Sequence, residues 1–246
     1  MAQRRPPRVY VAEALAEGGA AELGAAQAHH LGTVLRLGRG DGVAAFNPRD
    51  GEFLCRIADL GRGRMRLAVL QRLRAPQDEA DLWLLFAPIK RARLDWLIEK
   101  GTELGVAAFV PVWTERTEPQ RFNRERLGAH MIGAAEQCGR LSLPELRAPE
   151  TLARMLAAWP QERALALCDE SGGGRPIAEV AAGCAGRKLA VLVGPEGGFA
   201  ETELDALAKL SFVTRIGLGP RVLRAETAAL AAVAVFQAIA GDGRSR

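Results

Sequence analysis

Along residues 43–70 the apolar positions come in short runs separated by turn residues: 43–46, then Asn47-Pro48-Arg49-Asp50-Gly51, then 53–57, then Gly61-Arg62-Gly63, then 65–70. Runs of that length closed by Gly, Pro, Asn and Asp predict strands joined by hairpins, as in a small barrel. One helical stretch, 25–35, precedes them. The polar segment 74–80, which contains Pro76, predicts a linker. Beyond it the pattern changes to strands alternating with helices: a strand at 82–86, a helix at 91–104, a strand at 107–112, a helix at 123–139, strands at 164–167 and 189–193, a helix from about Glu201, a strand at 213–218 and a last helix to Ala240. Such alternation predicts a parallel sheet covered by helices.

The helices differ in their faces. Leu94, Leu97, Ile98 and Leu104 share one side of the first, as packing on a sheet requires. In the helix at 123–139, Glu136 and Arg140 stand at i and i+4 beside Gln137, opposite Leu127, Met131 and Ala135. That edge is either a solvated face with one weak ion pair or a surface turned to a partner. The last helix, 225–236, is apolar almost all round, so it needs burial on more than one side, in deep core or at a subunit interface.

Composition adds limits. A chain of 246 residues with 48% apolar and 25% charged positions falls in the globular range, as one large domain or two modest ones. No run of eighteen apolar residues occurs and the N-terminal segment has no hydrophobic stretch, so no membrane association is expected and the location is read as cytoplasmic. Cys55, Cys138, Cys168 and Cys184 are scattered without a C-x-x-C pair, which predicts buried free thiols rather than a disulfide framework or a metal site. His29 and His30 read as hydrogen-bonded structural residues. Residues 1–74 hold 12 arginines, no lysine and 7 acids, for a net charge of +5, while the remainder carries −1. An arginine surplus suits phosphate contact and points to nucleic acid; a coding bias would explain Arg over Lys but not the asymmetry.

The chemistry concentrates in two loops. LVGPEGGFAETE leaves the apolar run 189–193 with Gly194, Pro195, Glu196, Gly197 and Gly198, and Gly217-Leu218-Gly219-Pro220 leaves the run 213–216. Ligands of open α/β sheets bind beyond the carboxyl ends of strands, and glycines allow close backbone approach. GPEGGF lacks the Lys-Ser/Thr ending of a phosphate loop and does not fit G-x-G-x-x-G, which argues against a nucleoside triphosphate or NAD.

VGPEGGFAETE followed by GLGPRVLRAETAA resembles the paired C-terminal motifs of the RsmE family of the SPOUT superfamily, methyltransferases acting on N3 of a uridine in 16S rRNA. The likeness extends to KRARLDWLIEKGTELGVAAFVPVWTERTEP, AAEQCGRLSLPEL and HHLGTVLRLGRGD, and so covers nearly the whole chain. It implies an α/β fold with a SPOUT-type parallel sheet and a C-terminal trefoil knot, preceded by a small PUA-like β-barrel. The division would be 1–74 for the RNA-binding barrel and 75–246 for the methyltransferase domain. It also implies S-adenosylmethionine as cofactor, a homodimer with active sites at its interface, and 16S rRNA in the small ribosomal subunit as partner.

Mapped onto this chain, the resemblance assigns the cofactor to Gly194, Pro195, Glu196, Gly197, Gly198, Leu218, Gly219 and Pro220, with Leu223, Thr227 and Ala228 closing the pocket. Glu196 would orient its loop by hydrogen bonds or offset the sulfonium charge. Arg224 is the cation expected on the uracil or its phosphate, and Glu226 a proton acceptor, a partner holding Arg224, or an acid suited to the first turn of its helix. RNA contacts are expected from Arg4, Arg5, Arg8, Arg36 and Arg39 in the barrel. Arg140 on the middle helix, and Lys90, Arg91 and Arg93, either touch RNA or are merely solvated. Three departures stand out: Ala200 where similar proteins often carry a capping Ser or Thr, Cys138 in place of a commoner Ser, and Thr117-Glu118-Pro119 after the Glu-Arg pair. A catalytically silent RNA-binding or assembly factor on the same fold is the alternative, though such a factor would have no need of the glycine loops.

Overall fold

Alternation of buried and exposed residues is sharpest in the N-terminal strands of the computed structural model, which describes residues 6–61, 63–117 and 122–244. They are β1 (Arg8–Tyr10), β2 (Ala20–Leu23), β3 (Gly42–Asn47), β4 (Gly51–Gly61) and β5 (Arg64–Arg74), with the short helix α1 (Ala25–His29) after β2. The sheet order is β1-β3-β4-β5-β2, antiparallel except for the β1/β3 pair. Val43, Ala45, Phe53, Cys55, Ile57, Met65, Leu67 and Val69 point to one side and form its core. Register shifts in the β4/β5 ladder add local twist, which bends so small a sheet around that core. β1 and β2 were not expected, because three or four residues are too few to display a period.

The expected helix 25–35 is interrupted. After α1 the chain makes one π-helical turn over His30–Val34, and Arg36 follows with φ 57 in the left-handed region. The wider turn leaves Leu31 buried and Val34 and Leu35 exposed. β5 also runs further than its apolar stretch predicts, because its polar end stays paired with β4 as far as Glu52↔Arg74.

The second unit is a three-layer α/β arrangement. Its strands are β6 (Leu82–Phe86), β7 (Ala108–Trp113), β8 (Glu145–Leu146), β9 (Glu150–Thr151), β10 (Ala164–Cys168), β11 (Arg175–Pro176), β12 (Leu189–Val193) and β13 (Val213–Gly217). They lie in the order β11-β13-β10-β12-β6-β7-β8 with β9 on β7, and every pair is parallel. The helices are α2 (Arg91–Glu103), α3 (Arg124–Cys138), α4 (Leu152–Ala157), α5 (Ile177–Ala182), α6 (Glu201–Ala208) and α7 (Ala225–Ala240). Successive strand residues serve opposite layers: Leu82, Leu84 and Phe86 pack with α2, α5 and α7, whereas Leu85 packs with Leu152 of α4 and Leu207 of α6. β8, β9, α4, β11 and α5 escaped the sequence reading, each being six residues or fewer.

The two compact units are not contiguous in sequence: Ala135–Leu143 groups with the residues up to Asp78, while Glu79–Ala134 and the chain from Pro144 form the other. Within the first unit, the last turn of α3 lies on the outer face of β3, where Phe46 packs with Ala135, Leu141 and Tyr10. α3 ends at Cys138, and Gly139 follows with φ 88, so Arg140 is not on the helix and the expected i,i+4 edge with Glu136 does not form. Cys55 and Cys184 are buried, but Cys168 is half-buried and Cys138 exposed, against the expectation of four buried thiols; all four cysteines are free. Among the described residues no helix is long and apolar enough to cross a membrane.

Candidate active site

Five strands, β6, β7, β10, β12 and β13, run parallel and end at the same edge of the sheet. The two glycine loops follow β12 and β13, which are not neighbours, since β10 lies between them. The loop leaving β10, Asp169-Glu170-Ser171-Gly172-Gly173-Gly174, therefore stands between the two expected ones. Sequence reasoning missed it because DESGGG has neither apolar period nor a motif; its glycines after a strand were the available signal.

This third loop is tied down. Asp169 Oδ2 lies 2.7 Å from Arg215 Nη2, Ser171 N donates to Asp169 Oδ1 at 2.9 Å, and Arg215 Nη2 donates to Ser171 Oγ at 3.0 Å. Burial pushes the Asp169 carboxyl up, but the Ser171 hydrogen bonds and the Arg215 charge outweigh it and hold the group below its ordinary value. At Gly198, φ is 68, and a Cβ would sit 2.3 Å from Glu170 Oε1. At Gly194 a Cβ would come within 2.8 Å of the Phe199 ring. Both glycines thus answer first to the protein's own packing. Gly219 differs: its φ is 102 and nothing stands within 4 Å of where its Cβ would be, so its backbone faces open space.

The loop after β7 braces the first glycine loop. Arg116 Nη1 donates to Gly197 O at 2.9 Å, Glu115 N donates to Glu203 Oε1 at 3.0 Å, and Thr202 Oγ1 donates to Glu115 Oε1 at 2.9 Å. The other Glu203 oxygen accepts from Ala200 N at 3.0 Å. Ala200 itself offers α6 no side-chain acceptor, so only the reciprocal half of a capping box exists there. Of the departing triplet, Glu118 and Pro119 lie outside the described residues, while Thr117 Oγ1 bonds Thr114.

Glu226 lies in the first turn of α7, its side chain 10% exposed. Its ion pair is with Arg93, Oε1 to Nε at 3.5 Å, and not with Arg224 as one reading had it. The same guanidinium lies 3.4 Å from Glu196 Oε1 through Nη1. Arg224, at the N-cap of α7, is exposed and has no ion pair or side-chain hydrogen bond among the described residues. Leu218 and Leu223 are partly buried against the core, Ala228 is buried, and Thr227 and Pro220 are exposed.

The residues expected on RNA separate into groups. Arg36, Arg39, Lys90 and Arg91 are exposed. Arg8 is not available: its Nε donates to Glu52 Oε1 at 2.6 Å, its Nη1 to Ala135 O and to Glu136 O at 3.0 Å, and its Nη2 to Arg140 O at 2.7 Å, with the guanidinium over the Phe46 ring. It satisfies carbonyls at the end of α3, a role that its place in an arginine-rich segment concealed. Arg140 is half-buried and donates to Ser142 Oγ at 2.9 Å. Glu136 accepts from Tyr10 N at 3.0 Å, and burial raises its carboxyl above the ordinary value despite that bond and the charges of His30 and Arg8. Arg4 and Arg5 lie outside the described residues. His29 and His30 are exposed. Among the described residues no cluster of three or more His, Cys, Asp or Glu is arranged to hold a metal ion.

Comparison with known proteins agrees with this geometry. The family model described as an RNA methyltransferase domain matches residues 76–237, and that described as an RNA methyltransferase PUA domain matches residues 23–70. The protein named ribosomal RNA small subunit methyltransferase E of Rickettsia conorii is 34% identical over 228 residues, covering 92% of this chain and 93% of its own; that of Bacillus subtilis is 28% identical, covering 85% and 86%. A solved structure of ribosomal RNA small subunit methyltransferase E from Neisseria gonorrhoeae bound to S-adenosylmethionine superposes with a TM-score of 0.88 at 27% identity, covering 97% of this chain and 99% of the other. A Legionella pneumophila structure holding the same cofactor gives a TM-score of 0.85 at 30% identity, covering 97% and 99%.

Proposed function

The chain belongs to the ribosomal RNA small subunit methyltransferase E family, and from that premise we propose that it methylates N3 of a uridine in 16S rRNA with S-adenosylmethionine as methyl donor. The observation that carries the reading is the set of loops gathered at the carboxyl edge of the parallel sheet, with the open backbone of Gly219 and, five residues on, an exposed Arg224 that has no ion pair among the described residues. That edge suits a ligand read largely through backbone groups. Gly194, Pro195, Glu196, Gly197, Gly198, Leu218, Gly219, Pro220, Leu223, Thr227 and Ala228 would hold the cofactor. When bound, it supplies an electrophilic methyl on a positively charged sulfur, which departs as a neutral thioether.

What falls to the chain is orientation and charge. The uracil must present N3 in line with the methyl and lose its N3 proton. Arg224 brings an exposed cation to the start of α7, where contact with a uracil carbonyl favours the anion that forms. Glu226 is an acid near the same helix start, and its second oxygen has no hydrogen-bond partner among the described residues. The reading further includes the trefoil knot, a cytoplasmic homodimer, action on the small ribosomal subunit, and a division of labour in which 1–74 hold RNA and 75–246 perform the chemistry.

The test is nucleoside mass spectrometry on unmodified small subunits incubated with the protein and S-adenosylmethionine. N3-methyluridine is expected with wild type and a fall of about 100-fold or more in rate with Arg224→Ala, the scale of a lost charge-stabilising donor. Cofactor binding without methyluridine would move the substrate elsewhere. No cofactor binding would leave an RNA-binding factor without catalysis.

A further inference from the structure

Arg93 is the third residue of α2, just beyond the carboxyl end of β6. From sequence it promised only phosphate contact or solvation. In the fold its guanidinium reaches two acids, one on a loop and one on a helix: Glu196 in the loop after β12, at 3.4 Å, and Glu226 in the first turn of α7, at 3.5 Å. One side chain thereby links the first glycine loop to the start of α7, the helix that follows the second glycine loop.

The two acids are not equivalent. Glu196 is 45% exposed, and such a pair contributes little by itself. Glu226 is 10% exposed, its Oε2 is shielded from solvent without a hydrogen-bond partner, and Arg93 is its one ionic partner among the described residues. A buried carboxylate that depends on a single cation is strongly penalised when the cation is removed. The position of the start of α7 is therefore coupled to Arg93, and through Arg93 to the Glu196 loop. Neither contact is tight, and Arg93 is itself 32% exposed, so the bridge is a shared one whose geometry is set by the Glu196 loop and the start of α7 together.

We infer that Arg93 is a positioning residue for methyl transfer, holding the Glu196 loop and the start of α7 in the mutual placement that binds the cofactor. The inference rests on the proposal that these loops hold S-adenosylmethionine. It requires no contact between Arg93 and the cofactor.

The test is calorimetric titration of full-length protein with S-adenosylmethionine for wild type, Arg93→Ala, Arg93→Lys, Glu226→Gln and Arg93→Ala/Glu226→Gln, with a thermal melt on each. Arg93→Ala is expected to weaken binding about tenfold, Arg93→Lys to recover much of that loss, and the double variant to bind no worse than the weaker single one, because both changes break one interaction. The double variant also removes the stranded buried charge, so it stays informative if Arg93→Ala alone fails to fold. Wild-type binding that Arg93→Ala leaves unchanged, or losses that add in the double variant, would overturn the inference while sparing the cofactor assignment. Absence of binding by wild type would overturn the assignment and the inference with it.

Discussion

Arg8 and Arg39 are the same residue type in the same basic segment, and the structure gives them opposite duties. Arg39 is exposed, as is Arg36, whose left-handed backbone at φ 57 is a conformation that non-glycine residues seldom adopt. Arg8 has only 15% of its side chain exposed and spends its donors on Glu52 and on carbonyls at the end of α3. Sequence supplies the charge but not the address, since an arginine that binds phosphate and one that ends a helix are written alike. Fluorescence anisotropy with a small-subunit RNA fragment should therefore separate them. Arg36→Ala and Arg39→Ala should weaken binding at low salt and each reduce the slope of log affinity against log salt by about one, with stability nearly unchanged. Arg8→Ala should instead lower the urea midpoint, because it leaves Glu52 with Arg74 as its remaining cation among the described residues and strands several carbonyls.

At the scale of elements, helix ends decide how much the sequence reveals. The apolar period made α2, α3 and α7 legible nearly to the residue, and β12 as an unbroken buried run, because a parallel sheet covered on both faces leaves no ambiguity of pattern. Short elements such as α4, α5, β8 and β11 carry too few residues to repeat a pattern, and long-range pairing rather than propensity fixes them. Caps expose the same divide. α6 starts at Ala200, which has the extended φ of −70 and ψ of 154 that an N-cap needs but no oxygen to accept from the first turn. Ala200→Ser should raise stability by about 1 kcal/mol, read as a higher melting temperature, since Glu203 already provides the other half of the box. The end of α3 is capped by tertiary contacts. Glu52 accepts from Arg8 at 2.6 Å and from Arg74 at 2.7 Å, and Arg74 donates in turn to Gly139 O at 2.8 Å. Burial would raise the Glu52 carboxyl, but hydrogen bonds from Arg74 and Arg8, with their charges, hold it below its ordinary value of 4.5. A depressed carboxyl contributes stability that is present above the unfolded value and lost as pH falls through the folded one. The stability gap between wild type and Glu52→Gln, about 3 kcal/mol at neutral pH, should therefore close as the pH is lowered below about 4.5.

For the whole molecule, what a linear reading cannot see is chain that returns. The change from hairpin strands to alternating strands and helices is plain in the sequence, and so are the glycine loops, because both are local patterns. The return of residues 135–143 to the first unit is not local: Phe46, Tyr10 and Arg8 meet Ala135, Leu141 and the Arg140 carbonyl from positions distant in sequence, Arg8 across 132 residues. Leu141 looks like any apolar residue after a helix, and Gly139 like any helix stop. The packing has a consequence for the protein taken apart. A fragment ending at Asp78 keeps the sheet core of Val43, Ile57 and Leu67 but leaves the outer face of β3 bare and Arg8 and Arg74 without the carbonyls they bind. Uncovered apolar surface and stranded donors both disfavour that fragment. Residues 1–78 joined to 135–143 through a flexible Gly-Ser linker should restore the missing face and unfold in urea at a higher midpoint than 1–78 alone, with an unfolding free energy larger by about 3 kcal/mol. Equal midpoints would mean that the sheet is complete by Asp78 and that the end of α3 contributes nothing to its stability. A gain confined to the linked form, and abolished by Phe46→Ala or Arg8→Ala, would trace the stabilisation to the two contacts, apolar and hydrogen-bonded, that join the returning segment to β3 and β1.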